Sequence, residues 1–117
     1  MTTVATSYWP ADTSQPVLET TVGGVLREAA AAGPDMTAMV GGQPDPALRR
    51  RWTYAELLAE AEQAARALTT RFAPGERIAV WAPNLPEWIV LEFAAALAGL
   101  VLVPSTRPTG RPSWPTC

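Results

Sequence analysis

The chain has 117 residues, 48% of them hydrophobic and 17% charged, with a net charge of −2; these are the values of one globular domain, not of a disordered chain. Arginine supplies all the positive charge, and both lysine and histidine are absent. That excludes Ser-His-Asp and Cys-His catalysis, histidine metal ligation, Schiff-base chemistry and a P-loop lysine from these residues.

The single cysteine, Cys117, can neither close an internal disulfide nor build a thiolate metal site, which fits a reducing, cytoplasmic setting. The charge balance creates no field that would gather nucleic acid or an anionic membrane. Residues 1–16, MTTVATSYWPADTSQP, have neither the basic start nor the apolar stretch of a secretory signal, and are expected to form a disordered leader.

From Val17 to Ala32 apolar residues recur at helical spacing, and Gly33-Pro34 stops them. Met36 to Val40 reads as a short strand closed by Gly41-Gly42, and Arg50 to Thr53 as its hairpin partner. Thr53 opens the clearest helix in the chain. In T-Y-A-E, Thr53 is the N-cap and Glu56 the N3 residue of a capping box, whose side chains satisfy each other's backbone amides. Tyr54, Leu57, Leu58, Ala61, Ala65, Leu68 and Phe72 follow the 3.6-residue period on one face.

Pro74-Gly75 ends that helix, and Arg77 to Ala82 follows as an apolar run of strand length. Asn84 predicts the start of a third helix reaching Ala98, stopped by Gly99. Leu100 to Val103 is a further buried strand, so residues 77–103 make the strand, helix, strand unit of a parallel sheet. The fold class is therefore α/β. A parallel sheet needs cover on both faces, and the helices counted here are too few. The expectation is a partial parallel-sheet scaffold of a larger N-terminal domain, preceded by a small hairpin.

Three strings carry a resemblance: R-W-T-Y-A-E-L from Arg51, P-G-E-R-I-A-V-W-A-P-N-L-P-E-W from Pro74, and A-A-L-A-G-L-V-L-V ending at Val103. In that order and spacing they resemble the adenylate-forming enzymes: acyl-CoA synthetases, luciferases and peptide synthetase adenylation domains. The resemblance spans Leu18 to Val103. It implies a parent enzyme of fatty acid metabolism that uses ATP, Mg and coenzyme A to make an acyl-adenylate and then a thioester. The family's Ser/Thr/Gly-rich phosphate loop, acidic nucleotide-binding motifs and catalytic lysine cannot be placed on this sequence. No catalytic, cofactor-binding or metal residue is therefore assigned.

Ser105 to Pro112 is only a faint likeness of the phosphate loop. Arg107 and Pro108 replace small residues whose amides would cradle phosphate, and no lysine follows. A frame change near Pro104 accounts for this tail. With suitable synonymous codons, one added G after the codon for Pro104 turns the remaining sequence into P-V-N-P-A-H-R-P-A-E-L-A-Y-V-L, a turn and a helix start. Residues 104–117 are otherwise a Pro-rich disordered tail.

Other residues have a functional and a plainer reading. Arg49, Arg50 and Arg51 could contact phosphate, but are expected to be a solvated strand edge. Glu56 and Glu60 lie one helical turn apart like an acid/base pair, but capping and solvation explain them. Trp81 and Trp88 could line a ligand pocket and are expected to pack between sheet and helix. Asn84 could touch ligand at a strand's carboxyl end and is expected to be a helix cap.

The sequence thus reads as residues 17–103 of scaffold, a non-catalytic N-terminal fragment of an AMP-forming acid–thiol ligase. Its expected partners are the remainder of the enzyme and, failing that, chaperones, since uncovered strands would aggregate. Two alternatives use the apolar segment 86–103: an interaction module presenting Pro86–Ala98, or a membrane-associated peptide. Trp88 to Val103 carries Glu92 and falls short of the roughly 20 apolar residues of a membrane span.

Overall fold

A computed structural model describes residues 7–105. In chain order the elements are α1 (Val22–Ala32), β1 (Thr37–Val40), a 3-10 turn (Pro46–Leu48), β2 (Arg51–Thr53), α2 (Tyr54–Thr69), β3 (Arg77–Val80), α3 (Pro86–Leu97) and β4 (Val101–Pro104). Residues 7–21 form neither helix nor strand. The mixed α/β class holds.

α1 starts later than the apolar periodicity from Val17 suggests. Thr21 is the N-cap, its hydroxyl accepting from the Gly24 amide at 3.0 Å, and a β-branched N-cap in extended backbone ends the helix in the N-terminal direction. Gly23 lies inside the helix for a packing reason: a Cβ there would stand 2.8 Å from Leu97 Cδ2 of α3. α1 and α3 approach that closely because glycine leaves room.

β1 and β2 pair antiparallel, with a register irregularity between Thr37 and Met39, and the Gly41 amide closes the hairpin on the Arg50 carbonyl at 2.8 Å. The chain passes directly from β2 into α2 through the capping box. The Glu56 amide donates to Thr53 Oγ1 at 3.2 Å, and the Thr53 amide donates to Glu56 Oε2 at 2.8 Å. The next amides are answered from the segment before β1, Tyr54 by the Met36 carbonyl at 3.0 Å and Ala55 by that of Pro34 at 3.1 Å. The orphan donors of this helix start are thus satisfied within the chain.

β3 and β4 pair in parallel, Arg77 with Val101 through to Val80 with Pro104, with α3 as the crossover. β3 stops at Val80, short of the expected Ala82, because β4 provides no strand partner beyond Pro104. α3 ends in a Schellman motif: the Leu100 amide reaches the Ala95 carbonyl at 2.8 Å and Gly99, at φ +70°, reaches that of Ala96. Gly75, at φ +88°, sends its amide to the Gly99 carbonyl at 2.8 Å, which ties the turn before β3 to the turn before β4.

Two small cores result. Leu26, Leu57 and Ala61 join α1 to α2, with Met39 of the hairpin and Val90 and Phe93 of α3 packed against them. Ala65, Ile78, Ala94, Ala95, Ala98 and Leu100 join α2, α3 and the parallel pair. The second is alanine-rich, so its helices approach closely but it buries little apolar surface. Among the described residues no helix is long and apolar enough to cross a membrane.

Candidate functional site

The carboxyl end of β3 is where an open parallel sheet gathers ligands, and here it meets the hairpin loop. A cleft of about 380 Å³ runs between Gly42, Gln43, Arg50 and Trp52 on the hairpin side and Asn84 and Glu87 at the start of α3. An adjoining groove of about 410 Å³ is lined mainly by apolar side chains, among them Met39, Val40, Leu85, Trp88 and Ile89.

The arginine at this cleft is spoken for. Arg50 pairs with the Glu60 carboxylate and lies over the Trp52 ring, its guanidinium carbon 4.2 Å from the centroid. Trp52 is only 5% exposed, and its indole N–H is shared between both Glu60 oxygens at 3.2 Å. Arg50, Trp52 and Glu60 thus form a closed clasp of β2 onto α2. Arg49 donates from Nε to the Gln43 carbonyl at 2.6 Å and from Nη2 to that of Pro44, and so pins the loop while Arg49, Arg50 and Arg51 all stay exposed, as expected of a solvated edge.

Other sequence expectations divide. Glu56 is a cap, as its position implied. Glu60, expected to be solvated, instead holds the clasp, because Arg50 and the indole converge on it from the strand. Asn84 is not the helix cap: Leu85 occupies that position without a side-chain hydrogen bond, and Pro86 is the first helical residue. Proline prefers that first position, which places the cap one residue later than the Asn84 reading. Trp88 is half-buried and lines the apolar groove, whereas Trp81 is 70% exposed and does not pack between sheet and helix. It falls after the last paired residue of β3, where the sheet has ended. The clasp was missed because its pairs span eight and ten residues across a strand–helix junction; only the order Arg50, Trp52, Glu60 hinted at it.

These residues do not fit ATP or its metal. The cleft arginine is engaged by Glu60 and the loop arginine by carbonyls. Among the described residues, no three Asp, Glu, Cys or His side chains come together. The carboxyl group of Asp12 in the leader is held below its usual range by hydrogen bonds from the Ser14 side chain and backbone, a local turn rather than a site. Of the phosphate-loop likeness at Ser105–Pro112 and the tail from Pro104 that the proposed frame change concerns, only Pro104, paired in β4, and Ser105, whose amide reaches the Val80 carbonyl at 2.8 Å, are among the described residues.

A strand, helix, strand unit behind a hairpin that feeds a capped helix defines the class: an N-terminal segment of an adenylate-forming enzyme. The sequence profile of the AMP-binding enzyme family matches residues 26–109. The chain is 36% identical over 102 residues to the zebrafish (Danio rerio) mitochondrial medium-chain acyl-CoA ligase ACSF2, covering 86% of this chain and 16% of that protein. It is 36% identical over 88 residues to the Bacillus subtilis putative acyl-CoA synthetase YngI, covering 74% of this chain and 15% of that one. The crystal structure of the N-terminal domain of FACL13 from Mycobacterium tuberculosis superimposes with a TM-score of 0.65 at 36% identity, over 74% of this chain and 21% of that domain. The chain belongs to the AMP-binding enzyme family, as an acyl-CoA ligase-like N-terminal segment, and spans about a sixth of the length of these curated relatives.

Proposed function

We propose that this chain is the non-catalytic N-terminal scaffold of an acid–thiol ligase whose intact form activates a fatty acid as its adenylate and passes the acyl group to coenzyme A. The observation that carries the reading is the family match over residues 26–109 of a chain without lysine or histidine. The scaffold is present, while the phosphate loop and catalytic lysine that the family resemblance implies have no counterpart among these residues. The ATP, Mg and coenzyme A of the intact enzyme would be held by residues outside this chain.

Purified 117-residue chain should give no ATP–pyrophosphate exchange above a protein-free blank with medium- or long-chain fatty acids. Fatty-acid-dependent exchange would end the reading. By itself, as its concentration is raised, the chain aggregates or is held by a chaperone in the cytoplasm; a chain that stays monodisperse at high concentration would contradict that part.

The proposal includes a change of reading frame near Pro104. Its support is that the three family-like strings end at Val103, and that with suitable synonymous codons one inserted base yields a turn and helix start. Resequencing the gene through and beyond this point tests it. An unshifted frame followed by no ligase-like coding sequence would overturn it.

A further inference from the structure

The two faces of the parallel pair are unequally used. Side chains alternate along each strand, so Ile78 and Leu102 share the face toward α2 and α3, where both pack into the core. Ala79, Val101 and Val103 share the opposite face, with Arg77 at its start. There Val101 is 47% and Val103 40% exposed, and Ala79 is exposed as well. Apolar residues on both faces of a parallel pair are the pattern of a sheet with a layer on each side, and the described helices supply only one.

The missing layer has a definite source in the dimensions of the related fold. Where the FACL13 N-terminal domain superimposes on this chain, the chain accounts for only 21% of it. The open face therefore belongs to a substructure built to be flanked. We propose that the Ala79–Val101–Val103 face is a docking surface for the remainder of an AMP-binding N-terminal domain supplied as a separate polypeptide, so that the chain can act in trans. This inference rests on the scaffold reading above, but concerns association rather than chemistry.

The test mixes the full 117-residue chain with the FACL13 N-terminal domain lacking the segment that this chain matches, by co-expression and by co-refolding. The two should co-elute as a one-to-one complex, and the intact FACL13 domain, whose own segment fills the position, should not bind. Val101→Asp with Val103→Asp should weaken association about a hundredfold, at about tenfold for each valine lost from the interface. Both valines lie on the open face, so far-ultraviolet circular dichroism should be unchanged. Ala79→Arg is a second variant that blocks the same face by bulk.

No complex, or failure of the chain to keep the shortened domain soluble, overturns the inference. So does binding that survives both variants, or a discrete two-copy complex of the chain that both variants disperse, since the occupant would then be a second copy. Adenylate formation is measured separately: a complex that forms without restoring it supports the docking surface and counts against the proposed function.

Discussion

The half of the molecule around the hairpin and the half around the parallel strands are finished to different degrees. In the first, polar groups answer one another: Thr53 with Glu56, Arg50 and Trp52 with Glu60, and the Gly41 amide with Arg50. In the second, the strands are well paired and α3 is well capped at its C-terminus, yet one apolar sheet face stands open. A segment can therefore be locally well specified and still not be self-sufficient. Capping and short polar contacts close within neighbouring elements, whereas burial of a sheet needs a second layer.

Deleting core atoms should show the contrast most strongly. Leu57, 3% exposed between α1 and α2, should cost about 3 kcal/mol as Leu57→Ala. Ile78→Ala, beside a sheet open on its other face, should cost less, because that site can relax. Urea midpoints at low protein concentration decide it; equal losses would erase the distinction. Next in size is Gly23→Val, which drives a branched side chain into Leu97 where even a Cβ stands 2.8 Å from Cδ2. Overpacking of that kind costs about 2 kcal/mol, and Leu97→Ala in the same chain should recover part of it.

Glu60→Ala should follow at about 1.5 kcal/mol, since it leaves a largely buried indole N–H without its acceptor. Trp52→Phe removes donor and acceptor need together, so it should make a further Glu60→Ala nearly neutral in a double-mutant cycle. An unchanged cost for Glu60→Ala in that background would mean the clasp is only a surface contact.

How much of this was legible in the sequence follows the range of the interactions. The capping box, the Gly99 stop and the order strand, helix, strand after Pro74 depend on neighbours within a few residues, and all were readable. The start of α1 was misplaced because Val17 and Leu18 keep the apolar period although Thr21 caps the helix after them. Asn84 has the residue type of a cap, but Pro86 sets the position. Trp81 was placed in the core by hydropathy, but burial depends on where the β4 pairing ends. The clasp and the Gly23–Leu97 crossing are tertiary, and no periodicity announces them. The absence of lysine and histidine was plain in the composition; the open sheet face had only a count of helices to suggest it.

The two smallest effects sharpen the comparison from opposite sides. Thr53→Ala removes one arm of the capping box and should cost about 1 kcal/mol, although Thr53 itself is only half-buried. Val103→Thr, on the open face, should change folding free energy by less than about 0.5 kcal/mol, as surface substitutions do. It keeps the β-branched shape that suits a strand and exchanges a methyl for a hydroxyl that water can reach. Its visible consequence should lie in aggregation: less binding of a hydrophobic dye and slower turbidity growth than the parent chain, with an unchanged urea midpoint. A midpoint that fell as far as that of Leu57→Ala would mean Val103 is part of a core, and that the parallel-strand half is closed after all.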